Sequence, residues 1–593
     1  MSSRSLPVYS LAVGLAAALV SGPALAASEP LAEPPFSTEP AALLAAVNAL
    51  PAPADAAADF VLQEVFVRLD EKGRRSYTAR LLYRPLQADA ARGLGEMRAV
   101  WSPWYEERPT LDARVVTSDG RVFRLDPKTI GEAPVNEGSP QLFDDRRILR
   151  APIPGIEPNA VVEEVIVSRE VEPLFEAGTT TTLTIGQAAT IRRARIVVEA
   201  PKSLPLRFSV RGTSAKPKRT VAKGLQRLEL ELETVKPPEE IEPFLSPELA
   251  LVPSFLFSTG ESWKSVGAAY ARVVEAQLQG AKLSDIAERV VADEKRPEEI
   301  AARLTDWLQQ SIRYTGVHFG EAKIVPRSPA ETLSRGFGDC KDMSTLLVGL
   351  LRQAGVPAHV ALIRIEGDVD QGLPGLGQFD HAIVHVPGQK PLWIDPTNAS
   401  VAHGVLPLPL QGKYALVTGA DKLVRTPTAR STDNLLRAVR EYHLVEEGPA
   451  RIVETRESIG ALSAWYRSGR PESASERRGF AESYGKSVFG AEAMVRYDEP
   501  ALGDKSEPYR TRLELEGCQR ARSTGLQAVA QISSAPVVAM MPEFLKRPPE
   551  DPKAPEKGWR KRELVLPCPY RAEAEYPIEA CGLCLHKFPQ LYL

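Results

Sequence analysis

From residue 60 onward, apolar and polar positions alternate in short runs. Stretches 60–69, 76–83 and 111–116 carry β-branched and aromatic residues in strand-like runs, whose two-residue period turns one face of a strand inward. Ser118-Asp119-Gly120 separates 111–116 from a further run at 122–125, which is a hairpin signature. Runs at 160–169, 194–200, 206–211 and 228–234 continue the style, so 59–245 reads as a large antiparallel β domain, sandwich-like.

The period then changes. Segments 263–278 and 283–292 are amphipathic helices, and 297–312 opens on Pro297-Glu298-Glu299, as first turns do. Ser328 is placed to cap a short helix, with Glu331 three residues on. The Gly-containing loop 335–339 leads into Cys340. Met343, Leu346, Leu347, Leu350 and Leu351 then recur at helical spacing until Gly355 ends the helix. Strands are expected at 358–365, 382–386 and 392–394, with the Gly-rich loop 367–377 between the first two. Beyond 408 the chain is β-rich again, with a helix near 479–489, a loop at 546–561 and a strand within 570–578. The fold class is α+β multidomain. Its expected parts are an Ala/Pro-rich mobile lead-in (27–58, one short helix near 41–50), an N-terminal β domain (59–245), a helical linker and α+β core (246–405), and a β-rich C-terminal domain (406–593).

A chain of 593 residues is too long for one core, consistent with several units of roughly 100–200 residues. Its 73 basic and 76 acidic residues leave a net charge of −3 and no long basic block, which excludes nucleic acid as an expected partner. Residues 1–26 read as a signal peptide: Arg4, an uncharged apolar run at 11–20, a break at Ser21-Gly22-Pro23, and Ala24-Leu25-Ala26 at the cleavage site. The alternative is a retained anchor, although the run is shorter than the ~20 residues that span a bilayer. The expectation is an exported chain, periplasmic or secreted, without a transmembrane segment after cleavage near Ala27. In such a compartment Cys518, Cys568, Cys581 and Cys584 can form up to two disulfides, and Cys340 is left over.

A lone thiol is either a buried bystander or a nucleophile. A nucleophile needs thiolate character, a base and a group that orients the base. Cys340 sits at a helix N-terminus, where amides and the helix dipole favour an anion, while Asp339 and Asp342 oppose it. His381 begins one expected strand and Asp395 ends the next, so antiparallel pairing lets them face one another across the ladder. The bland alternatives are a structural histidine and a strand-end cap before Pro396. No metal is expected: on a strand, His381 and His385 stand about 13 Å apart. Cys581-Gly582-Leu583-Cys584 lacks a second pair at zinc spacing, and 372–377 lacks the Lys-Ser/Thr of a phosphate loop.

The run Gly336-Phe337-Gly338-Asp339-Cys340-Lys341-Asp342 resembles the nucleophile segment of the bacterial transglutaminase-like superfamily. Phe379-Asp380-His381-Ala382-Ile383-Val384 resembles its His strand, and Leu392-Trp393-Ile394-Asp395-Pro396-Thr397 its Asp strand. The flanking β domains resemble those of the exported subgroup in which such a core follows an N-terminal domain of unknown function. The resemblance implies a papain-like core with Cys340 as nucleophile, His381 as base and Asp395 as orienter, and it sets Tyr314 near the oxyanion site. It further implies thiol acyl transfer or amide hydrolysis on a protein or peptide, without a cofactor. The alternative is an envelope scaffold or peptide-binding protein with a vestigial core.

Overall fold

The computed structural model describes residues 30–580 apart from 54–55, 136–141, 187–188, 238–241, 243, 247–248, 319, 525–526, 540, 542–561 and 567. The expected signal peptide, the 546–561 loop, Cys581 and Cys584 lie outside the described residues.

Helix α1 (Pro40–Asn48) precedes strands β1 (Ala58–Leu69), β2 (Arg75–Pro85), β3 (Thr110–Val116), β4 (Val122–Arg124), β5 (Val161–Arg169), β6 (Ile191–Pro201), β7 (Lys218–Ala222) and β8 (Leu225–Val235). The strands form one sheet in the order β7-β8-β6-β1-β2-β5-β3-β4. Strands β1 and β6 run parallel, Phe60 beside Ile191 and Phe66 beside Val197, which corrects the expectation of a purely antiparallel domain. Parallel neighbours need a long crossover, and β2 to β5 supply it. Two three-stranded sheets, one built on Arg147–Pro152 and one on Ser254–Ser258, cover one face of the large sheet. Val65, Val67, Met97, Leu149, Phe255 and Phe257 share the core between the layers, which makes the domain sandwich-like.

The opposite face is covered by the segment expected to be a mobile lead-in. Helix α1 presses Leu43 and Val47 onto Val61, Leu62, Leu82, Val116 and Val161. Arg80 and Arg114 are almost wholly buried beneath it and bind the Glu163 carboxylate. Arg80 Nη1 also donates to Glu33 O (2.8 Å), and Arg114 Nη1 to Thr38 O (2.7 Å). Buried guanidiniums demand acceptors on every side, and the carbonyls of residues 33 and 38 supply what the sheet lacks. Inward-facing arginines read from sequence as a solvent face, so the docking of 30–48 left no signal there.

The next domain wraps α2 (Trp263–Leu278), α3 (Ser284–Val291), α4 (Pro297–Ser311), α5 (Pro329–Arg335) and α6 (Cys340–Gln353) around one sheet. Its strands are β9 (His359–Ile363), β10 (His381–Val386), β11 (Leu392–Ile394), β12 (Tyr414–Val417) and β13 (Val424–Arg425), in the order β11-β10-β9-β12-β13. The helices pack on Val360, Leu362, Ala382 and Val384, and Trp393, Leu406 and Leu410 close the other face. Helix α6 is buried on all sides from Lys341 to Leu351, not along one stripe. Ser344 hides its hydroxyl by donating to Ala382 O (3.0 Å), and a side chain on Gly349 would collide with Leu283.

Both expected boundaries of this domain move. Ser254–Ser258 pairs with Thr180–Thr184 and Arg207–Arg211 of the N-terminal domain, so that domain reaches 258 rather than 245. β12 and β13 extend the core sheet to 425 rather than 405. A backbone seam joins the two domains: Thr180 N donates to Leu376 O (2.6 Å) and Leu376 N to Gly178 O (3.0 Å). Gly377 has a positive φ, and a Cβ there would run into Thr180 O; a Cβ on Gly260 would run into Pro374 O.

The C-terminal domain stacks α7 (Ala461–Ser468), which the sequence reading missed, and α8 (Ala474–Phe489) against a sheet. That sheet holds β14 (Leu435–Leu444), β15 (Gly448–Ile459), β16 (Ala493–Asp498), β17 (Tyr509–Thr524) and β18 (Arg571–Glu575), in the order β16-β17-β15-β14-β18. Cys518 and Cys568 are free thiols in separate apolar clusters, so they are not paired with one another. No helix among the described residues is long and apolar enough to cross a membrane, which says nothing of a β-barrel.

Glu163 is fully buried between two guanidiniums, so Glu163→Ala takes from Arg114 its carboxylate and leaves Arg80 only Glu64. The expected loss is about 3–5 kcal/mol in urea unfolding. A loss below about 1 kcal/mol shows that the pair does not hold the lead-in.

Candidate active site

The loop before α6 is a built N-terminus. Asp339 caps the helix: its Oδ1 accepts from Lys341 N (3.1 Å) and Asp342 N (3.3 Å), while Asp342 Oδ2 accepts from Asp339 N (3.3 Å). This capping box fixes the direction in which Cys340 leaves the first turn. Asp342 Oδ1 further accepts from Arg327 N (2.8 Å), tying in the preceding segment. The sequence set Asp339 against a thiolate as a bare negative charge. In the structure the Lys341 ammonium, itself buried, forms an ion pair with it. The cap also takes up the amides of Lys341 and Asp342, which narrows the backbone donors available to an anion beside the sulfur.

Ser344 ties α6 to the carbonyl of Ala382, one residue past His381, and so sets the sulfur-bearing turn against the start of β10. Across β10 and β11 the register is Val384 beside Ile394 and Val386 beside Leu392. Continuing that ladder sets Asp395 beside Ile383, two residues from His381. The facing pair expected from sequence is therefore a diagonal pair, which long side chains bridge readily. His381 Nε2 lies 3.2 Å from Asp395 Oδ1. Cys340 lies close enough to act on the charge of the ring, and with Nε2 turned to Asp395, Nδ1 is the nitrogen left for sulfur. The structure thus brings Cys340, His381 and Asp395 together.

Each group's charge follows from its neighbours. Burial opposes a charged ring at His381, yet the hydrogen bonds and charges of Asp395 and Cys340 outweigh it and push the imidazole up from 6.5 to about 10. Burial likewise opposes the Asp395 carboxylate, but His381 and Thr397 hold it below the usual carboxylate range. Thr397 was quoted in the sequence only as part of a run. Its N (3.0 Å) and Oγ1 (2.7 Å) both donate to Asp395 Oδ1. The signal for it was present, because Asp-Pro-Thr is a turn in which the aspartate accepts from the residue two ahead.

Tyr314 pairs with Gly338 immediately before the cap and is half exposed. Partial burial, then the charges of Cys340, Asp339 and Asp395, raise its phenol, so the hydroxyl keeps its proton. Tyr270 is fully buried nearby and donates to Ile324 O (3.1 Å). Among the described residues no His/Cys/Asp/Glu group has the arrangement of a metal site.

Residues 71–239 match the family described as a domain of unknown function with solved structure, DUF3857. Residues 284–395 match the Transglutaminase-like superfamily. No curated protein matches the sequence. Among solved structures, a candidate protease from Parabacteroides distasonis ATCC 8503 shares the fold at 12% identity, covering 80% of this chain and 94% of that one with a TM-score of 0.54. A candidate cysteine protease from Cytophaga hutchinsonii, 12% identical over 51% of this chain and 79% of its own, superimposes at a TM-score of only 0.18, which carries no weight.

Raised and depressed charges have opposite consequences with pH. The stabilisation from a charged His381 is complete below 6.5 and is lost as pH rises through about 10. That from Asp395 is present above the ordinary carboxylate value and is lost as pH falls through its depressed one. Ring nitrogen shifts should therefore show His381 doubly protonated at about pH 8. Cys340→Ala should lower its pKa and Asp395→Asn should lower it as well; a ring already neutral at pH 7 in the native protein contradicts this electrostatic picture. By sequence and by fold, the chain carries an N-terminal DUF3857 domain followed by a Transglutaminase-like superfamily domain.

Proposed function

We propose that this protein is a thiol-dependent acyltransferase or amidase acting on a glutamine side chain or a peptide-like amide, with Cys340, His381 and Asp395 as its triad. The observation that carries the reading is the convergence of sulfur, imidazole and carboxylate, with His381 Nε2 at 3.2 Å from Asp395 Oδ1 and Cys340 near enough to bear on the same ring. Cys340 attacks the carbonyl carbon as a thiolate, and the C=O electron pair moves onto oxygen. The Cys340 N–H, which the Asp339 cap does not use, and the Tyr314 hydroxyl donate to that oxyanion. The imidazolium of His381 gives its proton to the departing amine as the C–N bond breaks, leaving a thioester and a neutral ring. Water or a second amine then attacks the thioester, His381 takes its proton, and sulfur leaves as thiolate. Asp395 holds the ring by Nε2 and stabilises its charge throughout.

The compartment rests on the sequence of residues 1–26. An export signal sets the activity in the periplasm or outside the cell, where the substrate is a protein or peptide of the envelope.

The test is thiol reactivity. Iodoacetamide should alkylate Cys340 of the full chain at neutral pH at least about tenfold faster than it alkylates the His381→Ala variant, because the ring stabilises the thiolate. Equally slow alkylation in both would falsify the triad and favour a scaffold whose core has lost its chemistry.

A further inference from the structure

The C-terminal domain reaches toward the triad through two side chains: Arg467 Nη1 donates to Ser400 O (3.5 Å), and Lys505 makes the closer contact. Lys505, in the loop between β16 and β17, is buried to about nine-tenths, and its Nζ sits 2.5 Å from both Asp306 Oδ1 and Gln309 Oε1 on α4. Gln309 turns its other end to the turn that follows Asp395. Its Nε2 donates to Pro396 O and Asn398 O, 3.2 Å each. Those carbonyls bracket Thr397, whose amide and hydroxyl hold Asp395 Oδ1. Asn398 N donates back to Asp395 O (3.4 Å) and closes the turn.

We infer that Lys505 is a positioning residue for Asp395, acting from the neighbouring domain by anchoring the oxygen end of the Gln309 amide whose other end holds the turn. The two ends of a glutamine amide have nearly the same shape and opposite polarity. An ammonium only donates, so it claims the oxygen end and leaves the NH₂ end for the two carbonyls. Without it the amide oxygen loses its donor, and only the two carbonyls, accepting from the NH₂ end, still hold the side chain against the turn. The turn would then loosen by a fraction of an ångström, and with it the carboxylate that orients His381. Asp306 holds the ammonium in place and keeps a second partner, His403 Nε2 at 3.0 Å. Removing Lys505 therefore strands the amide without stranding the carboxylate.

This inference rests on the triad proposed above, and the experiment separates the two. Iodoacetamide alkylation of Cys340 is followed from about pH 5 to pH 9 in the full chain and in Lys505→Met, Lys505→Arg, Gln309→Glu and His381→Ala variants. Lys505→Met should slow alkylation at pH 7 by about tenfold and shift the profile toward that of an ordinary thiol. Lys505→Arg, also a pure donor, should restore most of the rate. Gln309→Glu keeps a partner for Lys505 but has no N–H for the carbonyls, so it should match Lys505→Met. It also decides the question if Lys505→Met does not fold. Native rates and profiles in both Lys505→Met and Gln309→Glu, with His381→Ala slow, overturn the relay and leave the triad standing. Native protein as slow as His381→Ala overturns the triad and the relay with it.

Discussion

A carboxylate at 6% exposure keeps its charge only where donors converge on it, and the site is arranged around that requirement at Asp395. Removing such a group from water costs several kcal/mol, whereas each hydrogen bond to a charged group returns about 1.5–3 kcal/mol. One donor does not offset the burial. Together the neighbours do: Thr397 N and Thr397 Oγ1 donate to Oδ1, and His381 Nε2 pairs with it at 3.2 Å. The charged ring is then as much a condition for the carboxylate as the carboxylate is for the ring. The position of the sulfur is set separately, by the capping box at Asp339 and the Ser344 tether to β10.

Positions fixed by local chemistry were legible in the sequence. The cap at Ser328, the entry of α6 at Cys340 and the three strands carrying the site follow from spacing and turn residues that act over a few positions. The diagonal offset of His381 and Asp395 was not legible, because register depends on a pairing that the turn at 387–391 does not dictate by itself. The all-round burial of α6 escaped for a related reason. Ser344 and Gly349 read as a polar, permissive face, and only a strand carbonyl on one side and Leu283 on the other turn that face into core.

The ion pairs beneath α1 show the same limit on a larger scale. Arg80, Arg114 and Glu163 lie on strands whose alternation reads as one wet and one dry face. The wet face becomes dry because a segment far upstream in the chain lies across it, bringing backbone carbonyls as acceptors. Composition cannot announce that cover, since Ala and Pro suit a docked strap as well as a loose one. The domain limits shifted by the same mechanism. Ser254–Ser258, and then β12 and β13, belong to sheets whose other strands lie far away in sequence.

The seam of glycines between residues 178–180 and 374–377 has a consequence for how such proteins diversify. The loop that delivers the chain to His381 leans on the main chain of another domain, so closely that at Gly260 and Gly377 a side-chain carbon would have no room. A joint of this kind recognises backbone rather than side chains and tolerates drift in everything except its smallest members. The two domains are expected to be inherited as a unit: grafting the catalytic half onto a foreign partner would remove the floor under the loop before any residue of the site had changed.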